Sequence, residues 1–177
     1  MEYKINSDEL KSYCDKFKAG DRVLLSGTVY TARDAAHKRI MQLIESGKPT
    51  PFDIKGSVVY YAGPTPTPPG LPIGSCGPTT SSRMDRFAPA LYDMGMVATI
   101  GKGERSDAVC DAICRNNAVY LCAVGGAGAL AAQCIKQSEV IAFDDLGCES
   151  VKRLEFCDFP LIVAIDSKGG NLFKTNQ

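Results

Sequence analysis

The segment VATIGKGERSDAVCDAICRNNAVYLCAV, residues 97–124, decides the fold. It reads as a strand over Val97 to Ile100, a glycine-flanked turn, a helix from Ser106 to Arg115, and a second strand from Ala118 to Val124. The same alternation extends in both directions. Upstream, Val58-Val59-Tyr60-Tyr61 and a helix from about Ser81 to Met94 lead into Val97. Downstream, a helix over Gly128 to Lys136 leads to Val140-Ile141-Ala142-Phe143, and a helix over Cys148 to Leu154 leads to Leu161-Ile162-Val163-Ala164-Ile165. Short apolar strands alternating with amphipathic helices predict an α/β domain with a mainly parallel sheet.

The first third of the chain is less regular. Ser7 is positioned to cap a helix bearing Leu10, Cys14 and Phe17, and Val23 to Leu25 and Thr28 to Tyr30 read as extended pieces of a second, smaller sheet. Thr31 with Asp34 has the form of a capping box, opening a helix that buries Ala36, Ile40, Leu43 and Ile44 and stops at Gly47. A length of 177 residues fits one domain, 1–177, with a single substantial core.

Composition narrows the function classes. The 20 Lys and Arg balance 20 Asp and Glu, so the broad basic field of a nucleic-acid or anionic-membrane binder is missing, and any anion site has to be local. The longest uncharged run, Asn116 to Ile135, is apolar only from Ala118 to Ala132, too short for the roughly 18 residues of a span. Met1 to Asn6 has no apolar signal region, so a cytoplasmic location is expected, and the 8 Cys are read as free thiols.

Three cationic positions fall at helix starts. Arg33 opens the helix after Tyr30, with the only His, His37, four residues on. Arg83 follows Gly77-Pro78-Thr79-Thr80-Ser81-Ser82, which delivers more hydroxyls than capping needs. Lys102, between Gly101 and Gly103, stands in a strand-to-helix turn, where open α/β sheets take their ligands. Each position alone also reads as an ordinary solvated or capping residue; together they supply what a small dicarboxylate requires. The stretch Gly63 to Pro78, with six prolines, reads as a rigid site loop rather than a linker.

Two other patterns compete. Gly126, Gly128 and Ala131 match G-x-G-x-x-A after a strand, the partial fingerprint of a dinucleotide-binding module, although only 46 residues remain after Ala131 for a second nucleotide half. Close helix packing explains the same glycines. Cys110 and Cys114 share a helix face, but no C-x2-C or Cys/His quartet accompanies them, and two small apolar contacts suffice to explain the pair.

Taken in order, Arg33-Asp34-Ala35-Ala36-His37, Gly77-Pro78-Thr79-Thr80-Ser81-Ser82-Arg83-Met84-Asp85, Lys102-Gly103-Glu104-Arg105-Ser106 and Ala123-Val124-Gly125-Gly126-Ala127 resemble the class I iron–sulfur fumarate hydratase and L-tartrate dehydratase family. Asp144-Asp145-Leu146-Gly147, Asp158-Phe159-Pro160 and Asp166-Ser167-Lys168-Gly169 extend the likeness over nearly the whole chain. Departures are Ser81-Ser82, where Ala-Gly is commoner, and Cys76 in the proline loop.

The part resembled is the β subunit, equivalent to the C-terminal domain of the single-chain enzymes. The resemblance implies a swivelling β/β/α domain with helices on one side of the main sheet and the smaller sheet on the other. It implies a hydro-lyase acting on a four-carbon dicarboxylate, fumarate and malate first and tartrate to oxaloacetate second, active with an α subunit. The α subunit would bind the [4Fe–4S] cluster, leaving no metal ligand here. Arg33 and Arg83 would clamp carboxylates, Lys102 would stabilise developing charge, and Thr79 would act as the base. A non-catalytic assembly subunit is a further alternative, under which these four residues are dispensable.

Overall fold

The computed structural model describes residues 1–123 and 128–174. Its centre is the segment that decides the fold. Strands β3 (Val58–Tyr60), β4 (Ala98–Gly101) and β5 (Val119–Cys122) pair in parallel, Val58 opposite Ala98 and Ala98 opposite Val119. Between β4 and β5 runs helix α3 (Asp107–Arg115), whose first turn is closed by Ser106 Oγ accepting from Val109 N. Side chains alternate across these strands as the two-residue period demands. Val58, Tyr60, Ala98, Ile100, Val119 and Leu121 enter one buried cluster, while Val59, Tyr61 and Tyr120 enter another beneath the helices.

Strand β1 (Glu2–Asn6) lies parallel to β2 (Arg22–Thr31), and β6 (Ile135–Ala142) lies antiparallel to β7 (Val151–Ile165). Among the described residues all strands join one seven-stranded sheet, ordered β1-β2-β3-β4-β5-β7-β6, with β2 also bonded to β7. Four of the seven pairings are parallel. Strands β2, β3, β4, β5 and β7 consequently close into a ring around the first cluster. The separate second sheet expected from the sequence is not found among the described residues. Strand β2 is long enough to serve both parts, pairing with β1 through Arg22 to Ser26 and with β3 at Tyr30 and Thr31.

Helices α1 (Asp34–Glu45) and α2 (Ala88–Asp93) pack with α3 on the outer cluster through Ala36, Ile40, Leu91 and Tyr92. Helix α4 (Gly128–Cys134) instead sends Ala131 to the inner cluster, so the helices are not confined to one side. Four other expectations are corrected. The helix expected after Ser7 is only a 3-10 turn, Leu10–Tyr13, without a side-chain cap. Thr31 does not cap α1; it ends β2 and its Oγ accepts from Lys152 N at 3.1 Å. The helix expected over Ser81 to Met94 is broken into a 3-10 turn, Ser81–Met84, and α2, because Asp85 turns inward to bond Arg105 and Ser106.

The largest correction concerns residues 148–165. Cys148, Val151 and Leu154 have helical spacing, yet Val151 to Ile165 form one strand. Leu154 and Phe156 are buried at alternate positions, and so are Phe159, Leu161 and Val163. Between these sets, Asp158 takes a positive φ of 51° and the register against β2 shifts between Leu25 and Gly27. This bulge keeps both halves of β7 facing the core.

Candidate active site

The parallel strands β2, β3 and β4 end on the same side, and their carboxyl ends carry the candidate residues. Arg33 follows β2 and caps α1 in an extended conformation. Its carbonyl accepts two bonds from His37, at 2.9 Å from the backbone N and 2.8 Å from Nδ1, so Nδ1 is the protonated ring nitrogen. The imidazole is 1% exposed, stacked 5.5 Å from Phe87 and edge-on 5.5 Å from Tyr61. Burial pushes its pKa down to about 4, leaving it neutral at neutral pH. His37 thus braces the Arg33 backbone.

The Arg33 guanidinium nests against Gly63, just beyond β3; a Cβ at that glycine would lie 2.8 Å from Nη1. Its Nε is 3.7 Å from Glu149 Oε1, and this buried nitrogen has no hydrogen-bond partner. Arg83, half exposed, is held more closely. Its Nε donates to Asp34 Oδ1 at 3.2 Å and its Nη2 stands 3.1 Å from Asp34 Oδ2. The residue next to Arg33 therefore orients Arg83, which brings the two arginines to the same helix start.

The two residues after Thr79 tie its segment to Lys102 through the backbone. Pro78 bridges Ala62, Thr79 N donates to the Tyr61 carbonyl at 2.7 Å, and Thr80 pairs in parallel with Lys102. Ser81 N donates to the Lys102 carbonyl at 2.9 Å, and Lys102 N returns a bond to Ser81 Oγ at 3.1 Å. Thr79 is half-buried and Lys102 exposed, so both are presented to solvent at the strand ends. The proline loop is cross-braced by Thr65 N to the Ser75 carbonyl and Ser75 N to Thr65 Oγ1, both at 2.9 Å. It starts at the glycine under Arg33 and ends at Thr79.

Below this rim lies a second guanidinium site. The Arg105 side chain is 0% exposed. Its Nε donates to Asp85 Oδ1 at 2.6 Å, Nη1 to Thr99 Oγ at 2.9 Å and Nη2 to the Tyr61 hydroxyl at 3.2 Å. The Tyr61 and Tyr120 rings lie 5.2 and 4.8 Å from its guanidinium carbon. Asp85 Oδ2 accepts from Ser106 N at 2.6 Å, and the Tyr120 hydroxyl is 2.9 Å from both Ser81 Oγ and the Gly103 carbonyl. The network ties the segment behind Thr79 and Arg83 to the segment behind Lys102. Sequence reasoning missed Asp34, Asp85, Arg105 and Glu149 as parts of the site. Asp85 and Arg105 stood inside the quoted motifs; their signal was a charged residue within an otherwise ordinary strand-to-helix turn.

Among the described residues no group of three or more His, Cys, Asp or Glu side chains converges as a metal site. The eight cysteines are free, and burial raises the Cys76 thiol to about 12 and Cys110 and Cys114 above the ordinary range. Of the fingerprint Gly126-x-Gly128-x-x-Ala131, Gly126 lies outside the described residues. Gly128 allows close packing: a Cβ there would meet Ser75 Oγ at 2.2 Å. The strand after α4 is β6, antiparallel to β7, so α4 does not form the crossover of a nucleotide-binding βαβ unit. Among the described residues no helix is long and apolar enough to cross a membrane.

Known proteins are similar to this chain in sequence. Fumarate hydratase 2 of Leishmania major is 40% identical over 168 residues, covering 94% of this chain and 30% of that protein. Anaerobic class I fumarate hydratase of Escherichia coli (strain K12) is 39% identical over 168 residues, covering 94% and 31%. The chain thus spans about 30% of the length of these relatives. The putative L(+)-tartrate dehydratase subunit beta of Methanocaldococcus jannaschii is 38% identical over 180 residues, covering 98% of this chain and 92% of that one. The family model described as Fumarase C-terminus matches residues 1–176, and the chain belongs to that family.

Proposed function

We propose that this chain is the β-type part of a cytoplasmic iron–sulfur hydro-lyase that adds or removes water on a four-carbon dicarboxylate, fumarate and malate first and tartrate second. In this reading it is the swivelling domain of a hetero-oligomer, working with an α subunit that relatives such as the fumarate hydratases carry within one longer chain. The observation that carries the proposal is the backbone pairing of Thr80, the neighbour of Thr79, with Lys102 at the strand ends, together with an Arg33 whose buried Nε lacks a hydrogen-bond partner. A guanidinium with unmet donors is suited to a carboxylate.

Among the described residues no set of side chains converges to hold a [4Fe–4S] cluster, and in this reading the α subunit binds it. Arg33 and Arg83 bind and orient the two carboxylates. Lys102 adds positive potential where charge develops on the carboxylate beside the reacting carbon. On dehydration Thr79 Oγ, as its alkoxide, takes the proton from that carbon while the C–O bond of the neighbouring carbon breaks and hydroxide leaves toward the α subunit; hydration reverses both transfers. A hydroxyl is a weak base, and the nearby cations favour its alkoxide.

Co-purification with an α subunit, followed by anoxic assay of malate, fumarate and both tartrates, tests this reading. Activity in the pair and neither iron nor activity in the isolated chain are expected. A stoichiometric cluster reconstituted on this chain alone would overturn the division of labour. Saturable NAD binding by the isolated chain, abolished by a bulky residue at Gly126, would favour the dinucleotide module instead.

A further inference from the structure

The two rim arginines are not held alike, and the difference points to a role for Glu149. Asp34 meets Arg83 with a hydrogen bond at 3.2 Å and a second contact at 3.1 Å. Glu149 approaches Arg33 only to 3.7 Å, and it makes no hydrogen bond with the buried Nε it faces. The Arg33 guanidinium is also confined by Gly63, where a Cβ would lie 2.8 Å from Nη1 and 3.3 Å from the Cys148 carbonyl oxygen. Glu149 is therefore near enough to neutralise Arg33 and too far to satisfy it.

The turn that brings Glu149 there is fastened by Lys152, a buried lysine whose Nζ donates to Ser150 Oγ at 2.8 Å and to the carbonyls of Cys148 at 3.2 Å, Ser150 at 3.4 Å and Gly147 at 3.5 Å. Lys152 on β7 is paired opposite Thr31, so its anchor is the same strand end that delivers Arg33. An ammonium placed among carbonyls holds the 147–150 turn, and with it Glu149, in a fixed position.

Resting on the dicarboxylate reading above, we infer that Glu149 is a displaceable counter-ion of Arg33, an internal carboxylate that competes with the substrate carboxylate for that guanidinium, and that Lys152 is the positioning residue that holds it in place. The loose contact at 3.7 Å shields the guanidinium's charge, and a carboxylate able to reach the unmet Nε replaces it. Asp34, by contrast, stays with Arg83 and orients its remaining donors.

The test is titration of the complex of this chain and the α subunit with succinate, a saturated four-carbon dicarboxylate that cannot be hydrated, read by calorimetry and by the Arg33 Nε–H resonance. Glu149→Gln removes the competing charge at nearly constant shape, and succinate should bind about two- to fivefold tighter, the worth of one exposed ion pair. Lys152→Met should give a smaller tightening, because the turn then no longer fixes the carboxylate; thermal melting records any loss of fold separately. Succinate binding that is unchanged or weakened in Glu149→Gln, with wild-type melting, overturns the counter-ion role and leaves the dicarboxylate reading standing. Absence of any succinate response at Arg33 in both wild type and Glu149→Gln overturns the dicarboxylate reading and this inference with it.

Discussion

Arg105 and Arg33 share one side-chain chemistry in two different environments, and they do opposite work. Arg105 is fully buried, and Asp85, Thr99 and Tyr61 take its donors. Arg33 is 22% exposed, with a buried Nε left unbonded and a carboxylate standing off at 3.7 Å. A satisfied buried guanidinium belongs to the scaffold; an unsatisfied one at a strand end is available to a ligand. Hence a charge deleted from the lower site should cost folding, and a charge deleted from the rim should cost binding.

The largest effect is expected below the rim. Arg105→Met leaves the Asp85 carboxylate without its buried partner and should lower folding stability by about 3 to 5 kcal/mol in urea unfolding. Arg105→Lys should recover only part of this, since an ammonium cannot reach Asp85, Thr99 and Tyr61 together. At the rim, Arg33→Met and Arg83→Met should leave the melting temperature close to wild type. Each should lower kcat/KM of the complex with the α subunit by about 2 to 4 kcal/mol, roughly 30- to 1000-fold. Wild-type kinetics in either variant would erase the distinction between the two guanidinium sites.

Between these extremes lies His37, which supports the rim from within the fold. Its pKa falls from 6.5 to about 4 on burial, so the folded state binds the ring proton less well than the unfolded chain does. The neutral ring's stabilisation is complete above about pH 6.5 and is lost as pH falls toward about 4, a change on the order of 3 kcal/mol. His37→Phe should flatten that part of the pH–stability curve. The smallest effect is expected at Ser106, where Ser106→Ala removes the α3 cap and should cost about 1 kcal/mol in thermal unfolding without altering succinate binding.

The same contrast explains what could be read from the sequence. Strands β3, β4 and β5 are buried on both faces, and such strands are uninterrupted apolar runs in the sequence. Arg33, Arg83 and Lys102 stood out in the sequence because each follows a strand or a turn, a position that local pattern reveals, whereas the role proposed for Thr79 rests on the family resemblance. The partners of the arginines were not legible. Asp34 reaches Arg83 across 49 residues, and Glu149 reaches Arg33 only because residues 151–165 form a strand beside β2. The spacing of Cys148, Val151 and Leu154 suits a helix, and only pairing with β2 and β6 turns the segment into β7. Long-range sheet closure, unlike local period, leaves no mark on a single sequence.

Proton exchange at the substrate carbon tests the chemistry assigned to the rim most directly. In the complex with the α subunit, Thr79→Ala should slow exchange of the substrate C–H proton with solvent by about 100-fold or more, while succinate affinity and melting temperature stay near wild type. Thr80→Ala should leave the exchange rate largely intact. If Thr79→Ala exchanges that proton at the wild-type rate, the base lies on the α subunit and this chain serves only to clamp the substrate.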